Sequence, residues 1–343
     1  MRAQNDELQP VVSVCIANYN GEKLLDECIE SVLSQDFGGD VEILVHDDAS
    51  TDASLRVLEE RYAGIVVIPS TVNVGYCVSN NRLAARARGQ YLLLLNNDAT
   101  LRQGALRALV TDAALRRAPF ALTLAQYDRR SGALVDLGVR LDLLHTPVAN
   151  HEVNCRRLAY VQGACLFIRR DDWFRLGGFP EWMQSNAEDA YLCALVRLHG
   201  GAIGVVGGSG YDHLQGASFG GNRLDNHGLS TTYRRRYLSE RNRASMVFVC
   251  TPGATSWFFY AMQVVVLLVE GALLSMLKLD WKLWRTIYWA AARDSLGMLG
   301  RLRAARRRAQ SGRKIGLWSY LRILDPIPHK LVMFIKYGLP QLK

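Results

Sequence analysis

Between residues 11 and 125, short apolar β-rich runs alternate with helical patterns, and this alternation limits the possible folds more than any other feature of the chain. "VVSVCIAN" (11–18), "VEILVHD" (41–47), "GIVVIPS" (64–70), "YLLLLNN" (91–97) and "FALTLAQ" (120–126) read as strands. Between them, helical periodicity covers residues 22–35, 52–62, 78–88 and about 103–115. Strand–helix–strand repetition implies crossover helices, hence a parallel sheet covered on both faces. Strands buried on both faces should read as continuous apolar runs, and these do. The expected fold is α/β, with a Rossmann-like, mostly parallel sheet and helices on both sides.

The runs end on polar residues. The first stops at Asn18, Tyr19 and Asn20, the second at Asp47 and Asp48, the third shortly before Asn73, and the fourth at Asn96, Asn97 and Asp98. In an open parallel sheet, ligands bind beyond the carboxyl ends of the strands. Asn and Asp also serve as turn and cap residues, so one such end could be read either way. Four in succession point to one polar rim. No GxGxxG follows the first strand and no GxxxxGK[ST] occurs, so neither glycine-loop phosphate cradle is present. A diphosphate at this rim needs another counter-charge. Asp98, beside two amides, suits Mg²⁺ or Mn²⁺, hard cations that commonly bridge a carboxylate to substrate phosphates.

At 343 residues the chain exceeds one small core, which suggests a main domain over 1–245 and an appended region over 246–343. Its seven cysteines are odd in number, scattered and without a CxxC pair, which disfavours a disulfide framework or a zinc knuckle. The first residues carry acids where an export signal would be basic and then apolar, so no export is expected. From Arg301 onward the chain holds eleven of its 41 Lys/Arg and one of its 32 Asp/Glu, so the whole net charge of +9 sits in this tail.

Several segments resemble the family 2 nucleotide-sugar glycosyltransferases of GT-A fold, especially their rhamnosyltransferase-like branch. They are "VSVCIANYNG", "HDDASTDAS", "NVGYCVSNNRLAARARGQYLLLLNNDA" and "VQGACLFIRRDDWFRLGGFPEWMQSNAEDAYLCALVRLHG", within a likeness covering residues 11–245. The resemblance implies inverting transfer of a sugar, dTDP-L-rhamnose being the favoured donor, to a lipid-linked or growing saccharide. It assigns Asp189 as general base with Glu188 beside it, and Asp98 and His213 as metal ligands. Asn18, Tyr19, Asp47, Asp48, Asn73, Asn81, Asn97 and Gly163 would bind the donor nucleotide sugar. Trp182, and Arg241 and Asn242 of "SERNR", would meet acceptor or phosphate. Three positions depart from the family: the acidic triplet keeps only Asp98, Tyr191 stands where a further acid is common, and Leu83 replaces a glycine. A catalytically silent nucleotide-sugar-binding scaffold is the rival these departures support, and a UDP-sugar donor is the alternative to dTDP-rhamnose. Two acids at a helix start also favour the macrodipole without any chemistry.

Residues 257–277 are apolar enough to cross a bilayer but for Gln263 and Glu270, which with Ser256 recur every seven residues on one stripe. Trp281, Trp284 and Tyr288 follow at the spacing of an interfacial aromatic belt, then the basic segment and a last amphipathic piece over 329–342. This order suits a peripheral or monotopic protein on the cytoplasmic face of the cell membrane, in contact with anionic inner-leaflet lipids. A buried helix or a homodimer interface is the other reading of 257–277. No nucleic-acid-binding pattern accompanies the basic residues.

Overall fold

The computed structural model describes residues 10–214, 221–225, 228–337 and 341–342. The extreme N-terminus, on which the export expectation rests, and part of the last amphipathic piece lie outside them. The first half alternates as expected: β1 (Val12–Asn18), α1 (Leu25–Leu33), β2 (Val41–Asp47), α2 (Ser54–Arg61), β3 (Val66–Pro69), α3 (Tyr76–Arg86) and β4 (Tyr91–Asn96). Then come β5 (Ala99–Leu101), α4 (Ala105–Ala114), β6 (Phe120–Asp128), β7 (Leu134–Asp136), the hairpin strands β8 (Val139–Leu141) and β9 (Pro147–Ala149), β10 (Cys165–Arg169) and α5 (Arg170–Leu176). A short 3₁₀ turn (Glu181–Met183) leads to α6 (Glu188–Leu198) and β11 (Ala202–His213).

The main sheet runs β3-β2-β1-β4-β10-β6-β11-β5, with β7 paired to β6. β1 through β4 pair in parallel, and β11 is parallel to β6. β10 is antiparallel to both β4 and β6, so the mostly parallel sheet carries a reversed strand at its centre. This reversal matters for the rim. An antiparallel strand brings its amino-terminal end to the edge where its parallel neighbours end. Cys165 pairs with Leu95, so Gly163 and Ala164 arrive beside Asn96. β5 turns back from the rim to pair with β11, and the pairing of His213 with Ala99 sets His213 next to Asp98.

Period-two alternation divides the strands between two cores. Leu92 and Leu94 of β4 face one, while Tyr91, Leu93 and Leu95 face the other. The second core is closed by α1, α2 and α4 through Leu25, Ile29, Leu58, Leu106 and Leu109. The first is closed by α3 and α6 and then extended by the chain that follows. After the small strands β12 (Gly221–Asp225) and β13 (Gly228–Thr231) come α7 (Tyr233–Cys250), α8 (Ser256–Lys278), α9 (Trp281–Leu283), a π-helical turn (Trp284–Trp289), α10 (Ala290–Gly297), α11 (Leu299–Gln310), α12 (Leu317–Leu321), α13 (His329–Tyr337) and β14 (Gln341–Leu342).

The boundary expected between residues 245 and 246 falls inside α7, whose residues from Glu240 to Cys250 are all buried. Met246, Phe248, Tyr260, Leu267, Ile287 and Leu302 share one core with Leu92 and Leu192. A helix buried all round is a core element, not a linker. The aromatic belt is also corrected. Trp281 is exposed, but Tyr288 is buried against Gly271, where a Cβ would collide with its ring.

Candidate active site at the carboxyl rim of the sheet

Asn18, at the end of β1, joins two neighbouring strand ends. Its Nδ2 donates to Asp47 Oδ2 (2.9 Å) and its Oδ1 accepts from Asn97 Nδ2 (2.7 Å). A Cβ at Gly21 would strike both amides, which accounts for the glycine of "YNG". Asp47 Oδ1 also accepts from the Ser50 amide (2.9 Å), and the Asp47 side chain is buried. Asp48 receives the backbone amides of Val74 (2.7 Å) and Gly75 (2.8 Å), one on each oxygen. Asn73, exposed at the same turn, donates to the Asp48 carbonyl (3.3 Å). Tyr19 is nearly half exposed beside them. Asp47 and Asp48 therefore shape the loops and keep lone pairs beyond these bonds.

From Gly75 the rim closes on the second half of the site. The Tyr76 hydroxyl donates to the Gly163 carbonyl (3.0 Å), and the Gly163 amide donates to Asp189 Oδ2 (3.1 Å). The Ala164 carbonyl accepts from the Asn96 amide (3.0 Å), which leads on to Asn97 and Asp98. Asp98 Oδ1 lies 3.0 Å from His213 Nε2. The Tyr211 hydroxyl donates to Gln126 Oε1 (2.6 Å), leaving Gln126 Nε2 facing His213 Nδ1 at 3.3 Å. In that arrangement Nδ1 accepts and Nε2–H donates to Asp98; Nε2 ligates a cation in the other tautomer, with the Gln126 amide turned so that its oxygen receives Nδ1–H. Two ligands held at about 2.1 Å on an octahedral cation lie about 3 Å apart, so this oxygen–nitrogen pair fits a divalent metal. Among the described residues no cluster of three such ligands exists, which leaves most of the coordination sphere to substrate and water.

Glu188 and Asp189 open α6, but burial treats them differently. Glu188 is buried, its Oε2 has no hydrogen-bond partner, and burial with the neighbouring Asp189 charge pushes its carboxyl up to about 8. Asp189 is partly exposed; burial raises its pKa while the Ala190 and Gly163 amides oppose the rise. Burial lowers the Arg235 pKa, and the nearby carboxylates of Asp189 and Asp98, with Glu188 when ionised, oppose that effect.

The segment before Glu188 is strained. Gln184, Asn186 and Ala187 all adopt positive φ (63°, 68° and 69°), at about 1–3 kcal/mol each for non-glycine residues. Arg241 and Asn242 hold it in place. Asn242 Nδ2 donates to the carbonyls of Met183 (2.9 Å), Ser185 (2.9 Å) and Asn186 (2.8 Å), and Arg241 Nη2 to those of Trp182 (2.8 Å) and Met183 (3.2 Å). Five bonds at about 1 kcal/mol or more each are of the size needed to offset that strain. Both side chains are buried, so the expectation that they meet acceptor or phosphate is corrected: they hold the loop that presents Asp189. Asn81 is likewise engaged within the fold: its Nδ2 donates to the Phe179 carbonyl (2.8 Å) and its Oδ1 accepts from the Phe179 amide (3.0 Å). Trp182 is partly buried with its ring edge-on to Tyr191, so the position of the missing acid is a core contact. Leu83 is buried in the core as well.

Sequence reading missed Tyr76, Gln126 and Arg235. Gln126 ends the strand run "FALTLAQ" and was open to the same rule as the other strand ends. Arg235 lay hidden in the basic triplet 234–236, a pattern that reads first as solvated surface.

Residues 13–173 match the glycosyl transferase family 2 profile. The poly(ribitol-phosphate) beta-glucosyltransferase of Bacillus spizizenii is 38% identical over 92 residues, covering 25% of this chain and 14% of that protein. The chondroitin synthase of Escherichia coli is 38% identical over 91 residues, covering 26% and 13%. The matched stretch thus spans about a seventh of the length of these relatives. Among solved structures, S. aureus TarS 1-349 superposes with a TM-score of 0.54 at 16% identity, covering 88% of each chain. The Pyrobaculum calidifontis mannosyltransferase PcManGT, in complex with GDP-Man and Mn2+, gives 0.51 at 17% identity over 89% and 87%. GalNAc-T7 with UDP, GalNAc and Mn2+ gives 0.51 at 18% over 61% and 44%. At such identities the likeness establishes the fold, a GT-A-like curled sheet with a helical C-terminal region.

Proposed function

We propose, from a family 2 glycosyltransferase domain over residues 13–173, that this chain is an inverting glycosyltransferase acting in polysaccharide synthesis. It moves a sugar from a nucleotide diphosphate to a hydroxyl of a lipid-linked or growing saccharide at the cytoplasmic face of the membrane. The observation that carries this reading is the continuous circuit of hydrogen bonds from Asp48 through Gly75–Tyr76, Gly163–Ala164 and Asn96 to Asp98, with Asp189 bonded into it at Gly163.

In the reaction the acceptor oxygen bonds to the anomeric carbon as the bond from that carbon to the diphosphate oxygen breaks. Asp189 takes the acceptor proton, and the ionised form it needs is supported by two backbone amides. A divalent cation held by Asp98 and His213, Mg²⁺ or Mn²⁺, would neutralise the departing diphosphate. Arg235 adds positive charge on the same side. Asn18, Tyr19, Asp47, Asp48, Asn73 and Asn97 form the nucleotide shelf, Gly163 underlies the sugar, and Trp182 borders the acceptor.

The sequence resemblance favours dTDP-L-rhamnose as donor. A UDP-sugar is the second reading, favoured by the UDP bound to the fold neighbour GalNAc-T7. Incubating the chain with a panel of nucleotide sugars, Mn²⁺ and saccharide acceptors, and following released nucleoside diphosphate, tests activity and donor together. One donor should stand out at least tenfold. Absence of turnover with every donor would favour the silent scaffold.

A further inference from the structure

The C-terminal helices carry two features the transfer reaction does not use. α8 is anchored along its polar stripe: Gln263 Nε2 donates to the Leu144 carbonyl (3.2 Å), and Glu270 pairs with Arg236 (2.8 Å) and Lys330 (2.6 Å). The helix therefore lies on the domain instead of crossing a bilayer. Its opposite face leaves Phe258, Val265, Val269 and Met276 more than half exposed at helical spacing.

At the amino-terminal end of that face, an open cavity of about 500 Å³ is lined by Phe248, Trp257, Arg303, Arg306, Arg307 and Arg313 among others, with no acidic residue. Arg306 is committed to the carbonyls of Phe248 and Thr251 (2.7 Å each), closing the end of α7. Arg303 lies over the Trp257 ring, 5.3 Å from its centroid, while Arg307 is exposed and Arg313 donates to the Ile315 carbonyl (3.0 Å). Three guanidinium groups thus line a cavity whose Trp257 wall, 44% exposed, continues into the apolar face of α8. That pairing is the chemistry of an anionic headgroup attached to acyl chains. None of the residues lining the cavity belongs to the rim, and Phe248 stands six residues past Asn242 on α7, about 9 Å at 1.5 Å per residue. The cavity is therefore separate from the acceptor position beside Asp189.

We propose that this cavity seats the phosphate-bearing headgroup of an anionic phospholipid while the exposed α8 face enters the bilayer interface. The inference rests on the reading that the C-terminal region meets the membrane, and gives that contact a defined site. The full chain is floated with phosphatidylcholine vesicles, with and without phosphatidylglycerol, as wild type, as R303Q/R307Q/R313Q, and as the charge-matched control R86Q/R117Q/R130Q. Wild type and control should partition onto phosphatidylglycerol vesicles alike. The cavity variant should partition about a hundredfold less, roughly fivefold per arginine near an anionic surface, with an unchanged melting temperature and unchanged nucleoside diphosphate release. Glycerol phosphate at millimolar concentration should not displace the wild type. Equal loss in the control, or undiminished binding by the cavity variant, overturns the site while leaving membrane contact standing. A wild type that binds neither vesicle removes the membrane reading and the site with it.

Discussion

Glu188 and Asp189 are adjacent, yet only Asp189 suits the proposed exchange of a proton with substrate. Asp189 keeps partial exposure and two amide donors, whereas Glu188 is buried with an orphaned oxygen and its carboxyl lies at about 8. The folded chain holds a proton on Glu188 that the unfolded chain releases above its ordinary value of 4.5. Stability from this group is complete below that value and lost as pH rises through about 8. Glu188→Gln should accordingly flatten the decline in melting temperature between pH 5 and 9; a variant whose melting curve tracks wild type across that range would contradict a buried neutral Glu188. Asp189→Asn should leave donor affinity near wild type and lower turnover by about 10²-fold or more. Near-normal turnover would remove Asp189 as the base. At this scale the acids were legible because each stands at a strand or helix end in a recognisable motif. Their unequal burial was not, because it depends on α7, Tyr76 and Gly163, which are distant in sequence.

The element that most determines the site is the strained loop of residues 182–187 with the helix that holds it. Asn242→Ala removes three hydrogen bonds at once; the Met183 carbonyl keeps Arg241 as donor, while those of Ser185 and Asn186 lose theirs, at about 1–3 kcal/mol at most for each unsatisfied group. The expected result is a lower melting temperature and a fall in kcat larger than any rise in KM, since the loop positions Asp189. A rise in KM for phosphate-bearing donor with kcat intact would instead restore Asn242 to direct ligand contact. "SERNR" was visible in the sequence, but not that Arg241 and Asn242 both turn to the same loop, because a helix buried all round has no polar face to indicate direction. The strands and crossovers through β4 were legible from period and run length. The antiparallel entry of β10 was not, since local pattern carries no strand direction, yet that reversal delivers Gly163 to the rim.

Across the whole molecule, the main sheet and the C-terminal helices share one core through α7. A chain ending at Ser245 would expose the surfaces that Met246, Phe248, Tyr260 and Leu302 cover. It should fail to melt cooperatively, as followed by near-ultraviolet circular dichroism; cooperative melting would show that the sheet domain stands alone. The concentration of charge in the tail was legible from composition, whereas its gathering around one cavity required the packing of α11 on α7. At the rim, the proposed function requires Asp98 and His213, joined through β5 and β11, to hold a cation for a nucleoside diphosphate on the shelf of Asn18, Asp47 and Asn97. Calorimetric titration of UDP and of dTDP, with and without Mn²⁺, tests it most directly. At least one should bind in Mn²⁺, at least tenfold more weakly without the metal or in Asp98→Ala, and as in wild type in Asp189→Asn. Binding indifferent to both Mn²⁺ and Asp98, or no binding of either nucleotide, would contradict it.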